Sequence, residues 1–288
     1  MVTIFTPAYN RAYIIDKLYY SLLTQTNSNF EWLIVDDGST DNTRELISTF
    51  ILESKIDIRY FRQENGGKHQ AINRGIQEAK GELFFIVDSD DQLASEAIER
   101  VSYYYDEIKE DETFAGVCGL KAYFTGERIG GESDFCILDC NALDFRYKYH
   151  IVGDMAEVFR TEILKKYPFP EFEGEKFCPE GVVWNRIAQK YKLRYFYEKI
   201  YLCDYLADGL TARIIKLRME SPLSSMMYYS ELYHLTIPFL QKLKAAVNYW
   251  RFALCSADRF SEKIKRIGYS SIVLFPLGFF LHLKDIYS

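Results

Sequence analysis

Phe84-Phe85-Ile86-Val87-Asp88-Ser89-Asp90-Asp91 runs an unbroken apolar segment into three carboxylates within four residues. Large apolar residues in succession fit a short strand buried on both faces, as in a parallel sheet covered by helices. The acids then fall just past the carboxyl end of that strand. Like charges so close repel one another, and a hard divalent cation that also holds phosphate oxygens, Mg²⁺ or Mn²⁺, relieves the repulsion. An Asp-rich turn capping a helix near Ala94 is the simpler use of the same residues.

Working outward, residues 3–6, 32–35 and 58–61 are further β-rich runs, and between them apolar residues recur at helical spacing. Ile14, Ile15, Leu18 and Leu22 mark one helix, a second follows Asp41-Asn42-Thr43, and Ala71, Ile72, Gly75, Ile76 and Ala79 mark a third. Alternation of this kind predicts an α/β, Rossmann-like architecture: a mostly parallel central sheet with helices on both faces. Ligands of such sheets bind outside the carboxyl ends of the strands. The polar clusters 7–11, 36–41, 65–68 and 88–91 follow the four strands in order, so one crevice can collect all four. In Val35-Asp36-Asp37-Gly38-Ser39-Thr40-Asp41, a carboxylate can accept from a base N–H or a ribose hydroxyl. Ser39 or Asp41 suits a helix cap, which leaves Asp36 and Asp37 to be explained.

The chain has 288 residues, 48% hydrophobic and 26% charged, enough for one large core and a smaller appendage. A net charge of −6 argues against DNA or RNA as a partner. The six cysteines form no CxxC pair, as expected of reduced thiols without zinc. The N-terminal run lacks the pattern of a secretory signal, so a cytoplasmic location is expected. Charge is uneven: residues 240–288 hold eight Lys/Arg against three Asp/Glu, +5, and the remainder is −11. Residues 267–283 contain no charged side chain, the lower limit of a membrane-crossing helix, and Gly268, Pro276, Gly278 and His282 interrupt them. Lys242, Lys244 and Arg251 interleave with Tyr249, Trp250 and Phe252, which suits the headgroups of an anionic membrane. Peripheral attachment to the inner face of the cell membrane is the expectation, and an ordinary packed helical lid is the other reading.

Taken together, Thr6-Pro7-Ala8-Tyr9-Asn10-Arg11 and residues 35–43, 65–76 and 88–91 resemble the successive motifs of family 2 glycosyltransferases, which are inverting enzymes with the GT-A fold. The resemblance implies transfer of a hexosyl or N-acetylhexosaminyl unit from a nucleotide-sugar donor, UDP by family habit. The acceptor would be a saccharide or lipid-linked saccharide hydroxyl in surface polysaccharide or glycolipid synthesis. By position it assigns Pro7, Tyr9 and Asp37 to the nucleotide base, with Asp36 supporting that loop. Lys68 would lie along the donor's phosphate or ribose oxygens. Asp88 would point toward ribose or metal, Asp90 would be the principal metal ligand, and Asp91 an additional one.

The general base falls to Glu180 in Cys178-Pro179-Glu180-Gly181-Val182, where Gly181 replaces the second acid of the family's pair. Asp154 and Glu175 are the alternatives, and Glu180 can also serve as a helix N-terminal charge. Residues 203–213 resemble the family's closing loop, with Thr211 and Arg213 as diphosphate contacts. The expected organisation is a GT-A domain over 1–213, divided into a nucleotide-binding half (1–114) and an acceptor half (115–213), then a helical C-terminal region over 214–288. A sugar nucleotidyltransferase would begin with a Gly-rich phosphate loop, and residues 6–11 contain no glycine. A non-catalytic nucleotide-binding partner fits Gly181 but not an intact Asp88-Ser89-Asp90.

Overall fold

The computed structural model describes residues 1–204 and 213–287. The chain forms two compact units, Met1–Pro168 with Arg186–Asp204, and Phe169–Asn185 with Tyr205–Ser288. The first opens with β1 (Val2–Ala8), α1 (Ile15–Leu23), β2 (Phe30–Asp36), α2 (Thr43–Glu53), β3 (Ile58–Arg62), α3 (Lys68–Glu78) and β4 (Leu83–Ile86). Their strands lie side by side as β3-β2-β1-β4, all parallel, with Val2 paired to both Phe30 and Leu83. This is the block that the alternation predicts. β2 and β4 are nearly continuous apolar runs because both faces are covered, whereas the edge strand β3 is only half-buried and carries Arg59 and Arg62.

On one face Ile4, Trp32, Ile34 and Phe85 share a core with Leu18, Tyr19 and Leu22 of α1 and Ile47 and Phe50 of α2. Tyr19 stacks on Phe50 at 4.0 Å, and the Trp32 indole donates to the Thr6 hydroxyl at 2.9 Å. On the other face Phe5 stacks on Phe84 at 5.0 Å, beneath α3. A Cβ on Gly75 would lie 2.2 Å from the Phe5 ring, so only glycine lets α3 approach this closely.

The remainder of the sheet is mixed. After β5 (Gln92–Leu93) and α4 (Ala97–Asp106) come β6 (Phe114–Ala122), β7 (Ile137–Cys140), α5 (Ala142–Tyr147), β8 (Met155–Arg160), α6 (Thr161–Lys166), α7 (Gly181–Ala188) and β9 (Lys192–Leu202). The order continues β4-β8-β6-β9-β5, with β7 also on β9. β8 is antiparallel to both neighbours, and β9 runs parallel to β6 with register shifts.

The second unit is helical, as the C-terminal pattern predicts: α8 (Ile214–Glu220), α9 (Pro222–His234), α10 (Phe239–Ala253), α11 (Phe260–Ile267), a 3₁₀ turn (Tyr269–Leu274) and α12 (Phe275–Tyr287). Met226, Tyr249, Trp250, Ile264 and Ile267 form its core. Phe169–Asn185, placed by sequence in the acceptor half, belongs to this unit instead. The reason is local: Glu175 accepts from the start of α9, and the Arg218 guanidinium lies 5.8 Å from the Phe177 ring. Among the described residues no single helix is long and apolar enough to cross a membrane.

Candidate active site

The carboxyl ends of β1, β2 and β4 carry the polar loops. Pro7 stands in a central strand, a position that normally needs a ladder donor. Phe5 O accepts from Val87 N while Ala8 O accepts from Asp37 N, so odd residues of β1 point toward β4. Pairing of β1 with β4 ends at Phe5, and Pro7 therefore removes no bond. The next residues are tied to the second loop. Asn10 adopts φ +54, which asparagine tolerates better than most residues. Its Oδ1 accepts from Thr40 N at 2.8 Å and its own N donates to the Ser39 hydroxyl at 2.9 Å. Tyr9 is left with 47% of its surface exposed.

Asp36 and Asp37 are both buried. Asp36 Oδ1 accepts from Ser39 N at 2.7 Å and Oδ2 from the Tyr60 hydroxyl, so it braces the loop, the supporting role that the sequence reading allowed. Asp37 accepts from Gln63 Nε2 at 2.8 Å, Gly66 N at 2.9 Å and Gly67 N at 2.7 Å. It thereby fixes the segment that leads into Lys68, the first residue of α3. A carboxylate offers about four acceptor positions, so one remains. Beside Asp37, Arg44, Tyr60, Arg62, Gln63 and Asn65 line an open cleft of about 720 Å³. Just ahead of the Asn42 N-cap of α2, Asp41 accepts from Thr43 N at 3.1 Å and from Ala12 N at 3.0 Å.

Lys68 Nζ reaches Asp88 Oδ1 at 2.7 Å. Burial alone would raise the Asp88 carboxyl, but Lys68 and Lys121 hold it below the usual range. Burial and the Asp88 charge raise Asp90, and the same two causes push Asp91 up to about 7. Tyr201 joins the loop ends: its hydroxyl accepts from Asp88 N at 3.0 Å and donates to Asp91 Oδ2. The Lys121 ammonium lies 3.9 Å from the Tyr201 ring. The acids do not cap the next helix, because α4 begins at Ala97 after Glu96. Capping therefore does not account for the motif.

Lys121 and Tyr201 are absent from the sequence reading. The available signal was a lone lysine in the apolar strand Phe-Ala-Gly-Val-Cys-Gly-Leu-Lys-Ala.

Among the described residues no three acidic, histidine or cysteine side chains converge as a preformed metal cage. The donor set nevertheless fits Mg²⁺ or Mn²⁺. Such ions bind through one or two carboxylates and take the remaining ligands from water and substrate phosphates. Asp88 is paired with Lys68 and Asp91 with Tyr201, so the half-buried Asp90, with Asp88 beside it, is the carboxylate that would be left to hold such an ion.

In the second unit Glu180 is half-buried at the start of α7, its carbonyl accepting from Val183 N and Trp184 N. A Cβ on Gly181 would meet the Tyr228 ring at 2.8 Å. Packing thus explains the missing second acid. Both Glu175 oxygens are occupied at the α9 start, by Leu223 N at 2.6 Å and by Ser224 N at 2.9 Å with its hydroxyl. That makes Glu175 a helix cap and removes it as a base. Asp154 is exposed ahead of β8. Arg213 is exposed ahead of α8, and Thr211 lies outside the described residues.

A Rossmann-like sheet whose parallel strands end in an Asp-Asp-Gly-Ser loop, a Gly-Gly-Lys helix start and an Asp-Ser-Asp-Asp loop defines the GT-A class of nucleotide-sugar-dependent transferases. Comparison with known proteins agrees. The profile of Glycosyl transferase family 2 matches residues 3–129. The chain is 38% identical over 217 residues to the glycosyltransferase GlyG of Streptococcus pneumoniae, a match covering 70% of each protein. Other relatives are spanned over 16 to 40% of their own length. The fold is similar to that of S. aureus TarS 1-349 in complex with UDP-GlcNAc, with TM-score 0.64 and 18% identity over 99% of this chain and 88% of that one. It is also similar to the Pyrobaculum calidifontis mannosyltransferase in complex with GDP-Man and Mn²⁺, with TM-score 0.57 and 16% identity over 99% and 87%. The chain belongs to glycosyl transferase family 2 and is a glycosyltransferase.

Proposed function

We propose that the chain carries out inverting transfer of a sugar from UDP to a hydroxyl of a saccharide or lipid-linked saccharide acceptor in surface-polysaccharide synthesis. The observation that carries this reading is the convergence of three loops at one sheet edge, with the Lys68–Asp88 ion pair of 2.7 Å joining two of them. The exposed Tyr9 ring and Pro7 supply a stacking surface for the base. Asp37 offers its remaining acceptor position to the uracil N–H and holds Gly66 and Gly67 in place, so that Lys68 is presented to a diphosphate oxygen. Asp90 and Asp88 would hold a divalent cation, which would supply charge neutralisation of the leaving diphosphate. Arg213 and Thr211 add donors to the phosphates. Glu180 takes the acceptor hydroxyl proton, and a carboxylate suits that work when it faces the acceptor and not the donor. UDP in preference to GDP is supported by the TarS likeness and by family habit.

The experiment is donor hydrolysis and transfer by purified protein over a panel of UDP-, GDP- and dTDP-sugars, with and without EDTA. A UDP-sugar consumed only with free Mg²⁺ or Mn²⁺ is the expected result. Equal turnover in EDTA removes the cation from the reading, and thermal stabilisation by a GDP-sugar alone removes UDP.

A further inference from the structure

Among the described residues, one side of α12 is covered and the other is not. Gly278 lies so close to α10 that a Cβ there would sit 2.6 Å from Trp250 Cβ, and Phe275 meets the Trp250 ring edge-on at 5.3 Å. Arg251 grips both oxygens of Asp285, at 2.5 and 2.6 Å, and fixes the far end of the same contact. Away from that contact α12 carries Leu277, Phe280 and Tyr287, and the 3₁₀ turn before it carries Tyr269 and Val273; these are 51, 64, 85, 74 and 79% exposed. Steps of three and seven residues keep Leu277, Phe280 and Tyr287 on one stripe of α12, and Tyr269 and Val273 continue the exposed apolar run through the 3₁₀ turn before it. A contiguous apolar stripe left bare in this way marks an interaction surface.

We propose that this stripe docks on an anionic lipid surface. Its apolar side chains would enter the boundary below the headgroups, and the exposed Lys265 and Lys284 would meet the lipid phosphates. Charge chooses this occupant over a second copy of the chain. A two-fold contact sets the same patch against itself and would bring one +5 segment onto another, whereas anionic headgroups supply the opposite sign. Geometry then decides how the stripe engages. The chain turns by 110° between α11 and the helical stretch Tyr269–Tyr287, so among the described residues the apolar side chains belong to no single helix long enough to cross a bilayer. They rest on the lipid rather than traverse it. Tyr269 and Tyr287, at the ends of the stripe, carry ring hydroxyls suited to the headgroup level. The proposal stands apart from the transferase reading, because its readout is binding and not turnover.

The test is flotation of the full-length protein with vesicles of phosphatidylcholine alone and of phosphatidylcholine mixed with phosphatidylglycerol, at low and high salt. The protein should float with the anionic vesicles at low salt, remain behind with the neutral ones, and dissociate as salt rises. Val273→Ser, Leu277→Ser and Phe280→Ser together should cut partitioning by about tenfold or more. Lys265→Glu with Lys284→Glu should do the same without touching the apolar side chains. A separate Phe280→Trp variant keeps the proposal exposed should the triple variant misfold, since the emission of the added indole, read as the difference from wild type, must shift to the blue when anionic vesicles are added. Failure of the wild type to float, a folded triple variant that floats normally, or an unshifted difference emission from the Phe280→Trp variant overturns the proposal. So does a dimer in light scattering that the triple variant converts to monomer, which would give the stripe to a second copy.

Discussion

At the end of β2, Asp36 and Asp37 face backbone N–H groups, a tyrosine hydroxyl and a glutamine amide. At the end of β4, Asp88, Asp90 and Asp91 face one another, with Lys68, Lys121 and Arg11 as the opposing charges. Both loops follow apolar strands, and both place acids at adjoining positions of one sheet edge. Mostly neutral donors, with the Arg62 guanidinium 4.0 Å from Asp36, hold these carboxylates in position, so the first loop is complete as a piece of structure. The second is not complete. Its acids raise one another's affinity for protons, and the same repulsion creates affinity for a divalent cation. One loop is organised for shape, the other for charge.

The strongest way to break this contrast is Asp90→Asn. Transfer should fall about a hundredfold or more while the melting temperature holds or rises, because a mutually repelling carboxylate has gone. Full turnover of the variant with Mn²⁺ would show that the second loop is also merely structural. Glu180→Gln probes the step outside both loops. A base role predicts a fall of roughly a hundredfold in turnover with donor affinity unchanged. Near-normal turnover with a lowered melting point would leave Asp154 as the base, since Glu175 is consumed at the start of α9.

A smaller effect is expected at the first loop. Asp37→Asn keeps the size of the side chain but sets an amide NH₂ against backbone donors, a loss of about 1–3 kcal/mol. The donor KM should rise about tenfold with kcat less affected, and proteolysis within residues 63–67 should quicken. If neither changes, the loop does not depend on Asp37.

The smallest effect comes from an acid remote from both loops. Glu31 is fully buried, which alone would raise its pKa, but the Thr3 hydroxyl, the Lys80 N–H and Arg59 outweigh burial and hold it below 4.5. A depressed folded value means that its stabilisation is fully present above about pH 4.5 and is lost as pH falls through the folded value. Glu31→Gln should therefore lower stability at neutral pH and flatten the decline in acid, measured by thermal melts across that range. A variant as acid-sensitive as the wild type would assign that sensitivity to other groups.

The parallel half of the fold was legible because β1 to β4 and their helices obey one alternation, and because the crevice rule turns strand ends into ligand sites. The mixed half was not. Gly116 and Gly119 break the apolar pattern of β6, and its pairing with β9 shifts register more than once. That pairing is what sets Lys121 opposite Tyr201, eighty residues away. Spacing along the chain carries no trace of such a meeting. The capping contacts of Glu175 were hidden for the same reason, since the N–H groups it satisfies belong to Leu223 and Ser224. Asp90 stood out because its neighbours in sequence are also its neighbours in space.

Gly75 has a reach well beyond its own contact. Its hydrogen lies against Phe5, Phe5 lies on Phe84, and four residues beyond Phe84 is Asp88. In the other direction, two turns along α3, is Lys68. The spacing between the ammonium and the carboxylate is therefore gauged from behind, by the thickness of two stacked rings, and not by anything a substrate touches. A single methyl group at position 75 would lift the helix off its reference surface and reset the gap at the reacting end. The clearance of the site is machined into the hydrophobic core.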